Sequence, residues 1–153
     1  MRTQLRWRWY SFSELDTQDL YEVIALRQAV FIVEQQCPFA DADGRDGQAL
    51  HLLGRVPKGT LVAYLRLFGP QSLSDHPSIG RIVVHPGFRK TGLGRALVEE
   101  ALRMIGERYP GRSVRIASQL AVESFYERMG FVRAGTPYNE DGIVHVAMIR
   151  GGG

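Results

Sequence analysis

The sequence predicts an α/β domain built around a mixed sheet. Three observations carry that expectation. Apolar runs of strand length recur along the chain. Two stretches between them repeat their apolar residues at helical spacing. The turn-forming pairs Pro86-Gly87, Pro110-Gly111 and Asp141-Gly142 mark boundaries. With 153 residues, 44% hydrophobic and 23% charged, the chain suits one domain that buries roughly 70% of its unfolded surface. Residues 1–150 are expected to form it, with Gly151-Gly152-Gly153 as a tail.

The elements follow in order. Leu5, Trp7 and Trp9 share one face and Arg6, Arg8 and Tyr10 the other, which reads as a half-buried strand. Asp16 or Thr17 offers a helix N-cap. Leu20, Val23, Ile24 and Phe31 then fall at helical spacing, with Arg27 on the same stripe. Residues 37–48, rich in Asp and Gly, read as a loop. Leu50 to Val56 and Leu61 to Phe68 form a hairpin across Pro57-Lys58-Gly59-Thr60. Residues 69–77 are a second loop. Ile79 to Val84 is predicted as a central strand covered on both faces.

Leu93, Leu97, Ala101, Leu102 and Ile105 mark a helix to Tyr109, with Glu99 and Arg103 paired on its outside. Val114 to Ala117 is a short strand. Val122, Phe125, Tyr126 and Met129 return to helical spacing, with Gly130 as C-cap. Phe131 to Ala134 and Val144 to Ile149 are expected to close the chain as two strands around Asp141-Gly142. The predicted order is β-α-β-β-β-α-β-α-β-β.

Composition excludes several classes of function. Cys37 is the single cysteine, so no intramolecular disulfide forms and a reducing compartment fits. One Cys and four scattered His cannot build a structural zinc site. The first residues hold no apolar run of signal-peptide length and no later stretch reaches a membrane span. A cytoplasmic protein without a membrane partner is the expectation. The net charge is +3, with seventeen arginines against two lysines. That is too weak for nucleic acid, and Arg2, Arg6 and Arg8 have no aromatic RNA-binding signature beside them.

Asp41-Ala42-Asp43-Gly44-Arg45-Asp46 hints at calcium, but its glycine is misplaced and Leu52 stands where an EF-hand needs glutamate. The acidic loop either favours a cationic acceptor or is simply solvated. Cys37, before Pro38 and without an adjacent His, reads as inert.

The segment that carries chemistry is Ile82-Val83-Val84-His85-Pro86-Gly87-Phe88-Arg89-Lys90-Thr91-Gly92-Leu93-Gly94-Arg95. A strand ends, a basic glycine-rich loop follows, and a helix begins. Glycines let backbone N–H groups turn toward a ligand. The helix start adds free donors and the positive end of the dipole. Together these form a pyrophosphate site. Leu97 replaces the third glycine of a dinucleotide fingerprint, and no Gly-Lys-Ser/Thr run makes a Walker loop.

Arg89-x-x-Gly92-x-Gly94 resembles the acetyl-CoA signature of the GCN5-related N-acetyltransferases (GNATs). Gln119-x-x-Val122-x-x-Phe125-Tyr126-x-x-x-Gly130-Phe131 resembles the family's later helix, with Gln119 and Val122 where Asn and Ala are usual. Leu26-Arg27-x-x-Val30-Phe31-x-x-Glu34-Gln35-x-Cys37-Pro38 and Tyr138-x-Glu140-Asp141-Gly142-Ile143-x-His145-x-x-Met148 are similar to its ElaA-like branch. The resemblance spans roughly Leu5 to Met148 and implies the GNAT fold, a mostly antiparallel mixed sheet flanked by helices and splayed between its fourth and fifth strands.

It also implies acetyl-CoA as cosubstrate and a primary amine of a small molecule or peptide as acceptor. The pantetheine arm would pair with Ile82, Val83 and Val84, and a backbone N–H there would face the thioester oxygen. The pyrophosphate would sit on amides from Lys90 through Thr91, Gly92, Leu93 and Gly94 to Arg95, beside Arg89. Tyr126 matches the family's general acid; periodicity alone would have it fill the apolar stripe. Glu34, His51 and His145 are the candidate bases, with Glu34 favoured because acceptor pockets of this superfamily form at the first helical region. Gln35 belongs to the same acceptor side.

His51 and His145 are acceptor-binding or structural. Arg27 either pairs inside the core with Glu34 or a loop Asp, or reaches the acceptor. Gln119 binds pantetheine or acceptor, or caps a loop. The competing reading is an acyl-CoA-sensing module with little catalysis. Pairing into a homodimer through a sheet edge stays open.

Overall fold

The computed structural model describes residues 4–152. Arg2 of the first-strand arginines and Gly153 of the tail lie outside them. The chain runs β1 (Arg6–Ser11), α1 (Thr17–Arg27), a π-helical turn (Gln28–Glu34), β2 (Leu50–Arg55), β3 (Leu61–Phe68) and β4 (Ser78–Val84). It continues through α2 (Leu93–Arg108), β5 (Val114–Gln119), α3 (Glu123–Glu127), β6 (Val132–Arg133), β7 (Tyr138–Glu140) and β8 (Ile143–Arg150). The sheet order is β1-β2-β3-β4-β5-β8-β6, with β7 also on β8. β4 and β5 are parallel, and the other pairs are antiparallel.

Alternation along the strands assigns a helix to each face. Leu53, Tyr64 and Val83 pack against Val23, Leu26 and Val30 of α1 and its π turn. Their neighbours Leu52, Ala63 and Leu65 point the other way, against Leu97, Val98, Ala101 and Ile105 of α2. Each buried Leu or Ile side chain contributes about 1.5–3 kcal/mol. Asp16 caps α1 by accepting from the Asp19 amide at 2.7 Å. Gly130 takes φ +95° where α3 ends, and the Phe131 amide donates back to the Tyr126 carbonyl. Among the described residues no helix is long and apolar enough to cross a membrane.

Three expectations need correction. The hairpin at Asp141-Gly142 joins β7 to β8, not β6 to β8. Tyr138–Glu140 is exposed and three residues long, so it carries no apolar alternation. The fully covered strand is β3, buried at every residue, whereas β4 is half-buried. Arg103 pairs with Glu100 and Glu107, while Glu99 pairs with Arg95. Glu100 is turned to receive the Trp9 indole N–H at 2.7 Å, which ties α2 to β1.

Candidate active site

The site begins as a fault in the sheet. β4 and β5 pair only at Ser78 and Arg115 and separate beyond that point. The β3–β4 register jumps, leaving Arg81 and Ile82 together opposite Leu65, and Arg81 takes φ +49°. A cleft of about 370 Å³ opens between the strands. It is lined by Gly80 to Val84, by Ala117 to Gln119, by Phe31 and Gln35 of the π-turn region, by Tyr126, and by the β7–β8 tip with His145. Ile82, Val83 and Val84 thus stand at the edge where the pantetheine arm is expected.

The loop before α2 presents free backbone donors. Its entry turn, Pro86–Phe88, is capped by His85, whose Nδ1 accepts from the Gly87 amide at 3.0 Å. Lys90 and Gly92 follow with φ +62° and +84°. Gly92 is the N-cap of α2, and no side chain caps the helix. The first backbone bond of the helix runs from the Ala96 amide to the Gly92 carbonyl at 3.1 Å. The Leu93, Gly94 and Arg95 amides therefore have no helical acceptor. A Cβ at Gly92 would stand in open space, and one at Gly94 would come 3.7 Å from Phe125. Uncapped amides on a 16-residue helix fit a diphosphate.

The charged residues of this loop differ in availability. Lys90 and Thr91 are exposed, although the Thr91 hydroxyl donates to the Phe88 carbonyl. Arg95 pairs with Glu99 at 2.7 Å. Leu93 is a buried anchor against Val56 and Val62. Arg89 donates from Nε to the Val84 carbonyl at 3.2 Å, which brings its guanidinium back over the end of β4.

Tyr126, on α3, is 7% exposed and lines the cleft. Phe125 and Phe131 meet its ring edge-on. Its hydroxyl makes no hydrogen bond to another described residue. Burial pushes its pKa up to about 12. The ring therefore packs in the core while the residue also lines the cleft.

The structure takes Arg27 and His51 to the structural alternative of their two readings and corrects Glu34. Arg27 is fully buried and donates to Asp41 and to Asp46, each at 2.7 Å. It is a core pairing with the acidic loop and does not reach an acceptor. His51 is 1% exposed, held between the Tyr64 hydroxyl at 2.7 Å and the Asp46 carbonyl at 2.9 Å. Burial pushes its pKa down, and it lies outside the cleft lining. Glu34 accepts two hydrogen bonds from Arg89, which lower its pKa. Both its oxygens are engaged, so it is poorly placed to take a proton.

The three aspartates of the acidic loop are paired within the protein, although residues 42–45 are exposed. Asp41, Asp43 and Asp46 meet Arg27, Arg66 and Arg81 in one network. Arg66 holds Asp43 well below the usual carboxylate range. Arg81 meets Asp41 at 2.8 Å and donates to its carbonyl at 3.0 Å. The network thus clamps the loop onto the β4 bulge.

Gln35 and Gln119 do meet across the cleft, the Gln119 amide donating to the Gln35 oxygen at 3.2 Å. His145 lines the cleft on β8, stacked on Tyr138. Its Nδ1 lies 2.8 Å from the Ile143 carbonyl. A carbonyl only accepts, so Nδ1 is the donor in this contact. Cys37 sits at the cleft wall with Sγ 3.5 Å from the Asp141 carbonyl. Sequence reasoning missed Arg81, although its charge inside an apolar strand was a usable signal.

A splayed sheet, an open strand edge and an uncapped helix start define an acyl-CoA N-acyltransferase architecture. Comparison with known proteins agrees. Residues 49–150 match the family model "Acetyltransferase (GNAT) domain". A UPF0039 protein of Synechocystis is 38% identical over 146 residues, 95% of each chain. ElaA of Escherichia coli is 35% identical over 148 residues, 95% of this chain and 96% of its own. The crystal structure of ElaA superposes with a TM-score of 0.88, covering 96% of this chain and 99% of that one. That of an acyl-CoA N-acyltransferase from Pseudomonas aeruginosa gives 0.90 at 36% identity, with coverage of 96% and 99%. The chain belongs to the GNAT acetyltransferase family, in its ElaA-like branch.

Proposed function

We propose that the protein is an acetyl-CoA-dependent N-acetyltransferase that acts on a primary amine by direct attack in a ternary complex. The observation that carries this reading is Tyr126, 7% exposed and lining the cleft at the fault in the sheet, with no hydrogen bond from its hydroxyl to another described residue. Acetyl-CoA, when bound, supplies the activated acyl group and a thiolate leaving group. The backbone of Ile82 to Val84 provides a strand edge for an extended amide-bearing arm. The amides from Lys90 to Arg95 receive the diphosphate, and Arg89 stands beside them.

Tyr126, with its pKa raised to about 12, keeps its proton across the physiological range. It therefore remains a hydrogen-bond donor for charge growing on the sulfur. His145 takes the base role in this reading: it lines the cleft and its Nδ1 is engaged by the Ile143 carbonyl, whereas His51 lies outside the lining and both Glu34 oxygens are held by Arg89. Gln35 and Gln119 orient the acceptor or the pantetheine carbonyls through their paired carboxamides.

The test is thiol release from acetyl-CoA against a panel of amines, beside calorimetric binding of acetyl-CoA. Tyr126→Phe is expected to lower kcat by about 10²-fold or more while the Kd for acetyl-CoA holds. Binding without release on any acceptor would leave an acyl-CoA-sensing module instead.

A further inference from the structure

We propose that Arg81 is a positioning residue for acyl transfer: its ion pair with Asp41 holds the β4 bulge so that the Ile82 amide points at the acyl carbonyl of a bound thioester. The ligand rests on the transferase reading above; the anchoring of the bulge does not.

Packing demands the bulge. Ile79 and Val83 are four residues apart, so an unbroken strand would turn both to one face. Instead Ile79 packs with α2 and Val83 with α1. The extra residue opposite Leu65 reverses the alternation between them.

A side chain, not backbone freedom, holds that extra residue. Arg81 takes φ +49°, and a residue with a β carbon stays there only when its surroundings fix it. Gly80 stands beside it and would adopt such a conformation freely, yet the φ of Gly80 is not positive. Arg81 meets Asp41 twice. Its Nε lies 2.8 Å from the carboxylate, and its Nη2 donates to the carbonyl at 3.0 Å. Asp41 is only 7% exposed and is fixed from behind by Arg27 at 2.7 Å. Arg81 lines the cleft, but its guanidinium is occupied by the acidic loop. It therefore acts on a ligand through its own backbone.

The dihedrals of Arg81 orient the planar peptide that carries the Ile82 N–H. Ile82 pairs with neither β3 nor β5. Val83 stands opposite Tyr64, and two residues on the His85 amide donates to the Val62 carbonyl at 2.7 Å. The alternation of an antiparallel ladder then turns the backbone of Ile82 to the other edge, where the cleft opens. A donor already fixed there needs no reorganisation when charge develops on the thioester oxygen.

The experiment is infrared difference spectroscopy of acetyl-CoA labelled with carbon-13 at the thioester carbonyl, bound to the full chain without an acceptor. Wild type is compared with Arg81→Gly, which permits the same backbone but removes the anchor, and with Arg81→Lys. Thermal melts verify the fold of each. In wild type the carbonyl band is expected to be narrow and set apart from that of acetyl-CoA in water. In Arg81→Gly it is expected to broaden and move toward the solution value, with the Kd for acetyl-CoA within about threefold of wild type. Arg81→Lys keeps the charge but lacks the planar fork, so its band is expected to fall between the two. If Arg81→Gly does not fold, Arg81→Lys carries the comparison.

A band identical in wild type and the variants overturns the proposal, as does a wild-type band no different from solution. Thiol release with an amine acceptor separates the two readings. Arg81→Gly is expected to lower kcat about tenfold or more with little change in the KM for acetyl-CoA. A loss confined to KM overturns the positioning role alone. A band that the variants lose, with no acceptor ever acetylated, overturns the transferase reading alone. Failure of wild type to bind acetyl-CoA overturns both.

Discussion

Arg89 and Glu34 meet fork to fork, at 2.6 and 2.7 Å, and so join the loop before α2 to the end of the π-helical turn. Both side chains are about two-fifths exposed. The link therefore orients more than it stabilises. Glu34→Ala is expected to shift global stability by no more than about 1 kcal/mol in thermal melts. Its kcat should fall by less than about tenfold, whereas loss of a true base costs about 10² or more. The larger change is expected in the KM for acetyl-CoA, because Arg89 loses its second tether.

Arg27→Met is expected to be severe. The guanidinium is wholly inside and its two partners, Asp41 and Asp46, are mostly buried. Removing it takes one of two arginine partners from each of two mostly buried carboxylates, Arg81 and Arg66 remaining, a loss of about 3 kcal/mol. Urea denaturation at neutral pH measures it directly.

Acid should weaken the fold through the same network. The Arg66 hydrogen bonds hold Asp43 below the ordinary aspartate range. At Asp46 burial pushes the pKa upward, but hydrogen bonds and charge from Arg27 and Arg66 win and the net shift is down. A carboxyl whose folded pKa lies below its unfolded value stabilises the fold fully above the unfolded pKa. That stability is lost as pH falls from there through the folded value. The urea midpoint is thus expected to be flat above about pH 5 and to fall below about pH 4. Asp43→Asn should be less stable at pH 7 and show a shallower acid slope.

Two glycines separated by Leu93 should answer alanine with opposite signs. Gly92 holds φ +84°, so alanine there is expected to destabilise by about 1–2 kcal/mol. Gly94 lies within α2, where an added methyl group would come no closer than 3.7 Å to any neighbour. Alanine there is expected to gain roughly 0.5–1 kcal/mol. Melting temperatures of both variants, taken without ligand, decide it.

Much of the fold was legible because its elements bury one face each. The stripe of Leu93, Leu97, Ala101 and Ile105 and the runs at 50–56 and 61–68 follow directly from that requirement. The glycine-rich loop was legible for a related reason: backbone conformation is written in residue type at Gly92. β7 was not, since an exposed three-residue strand has no buried face to advertise. The partners of Arg27 were only half legible. Its place on an apolar stripe required a counter-charge, but nothing local distinguishes Asp41 and Asp46, 14 and 19 residues away, from solvated loop aspartates. The availability of Glu34 as a base was illegible, because Arg89 lies 55 residues off in sequence.

The π-helical turn makes chain length a determinant of the site. Its wide turns are seen where the Gln35 amide donates to the Val30 carbonyl and the Cys37 amide to the Ile32 carbonyl, each five residues back. Deleting one residue between 28 and 34 would let α1 continue as an ordinary helix while hardly altering composition. Every side chain beyond the deletion would then swing by about 100° around the axis. Glu34 would leave Arg89 and Gln35 would leave Gln119. Counting residues in this segment therefore tells more about whether a related chain keeps this cleft than comparing their identities does.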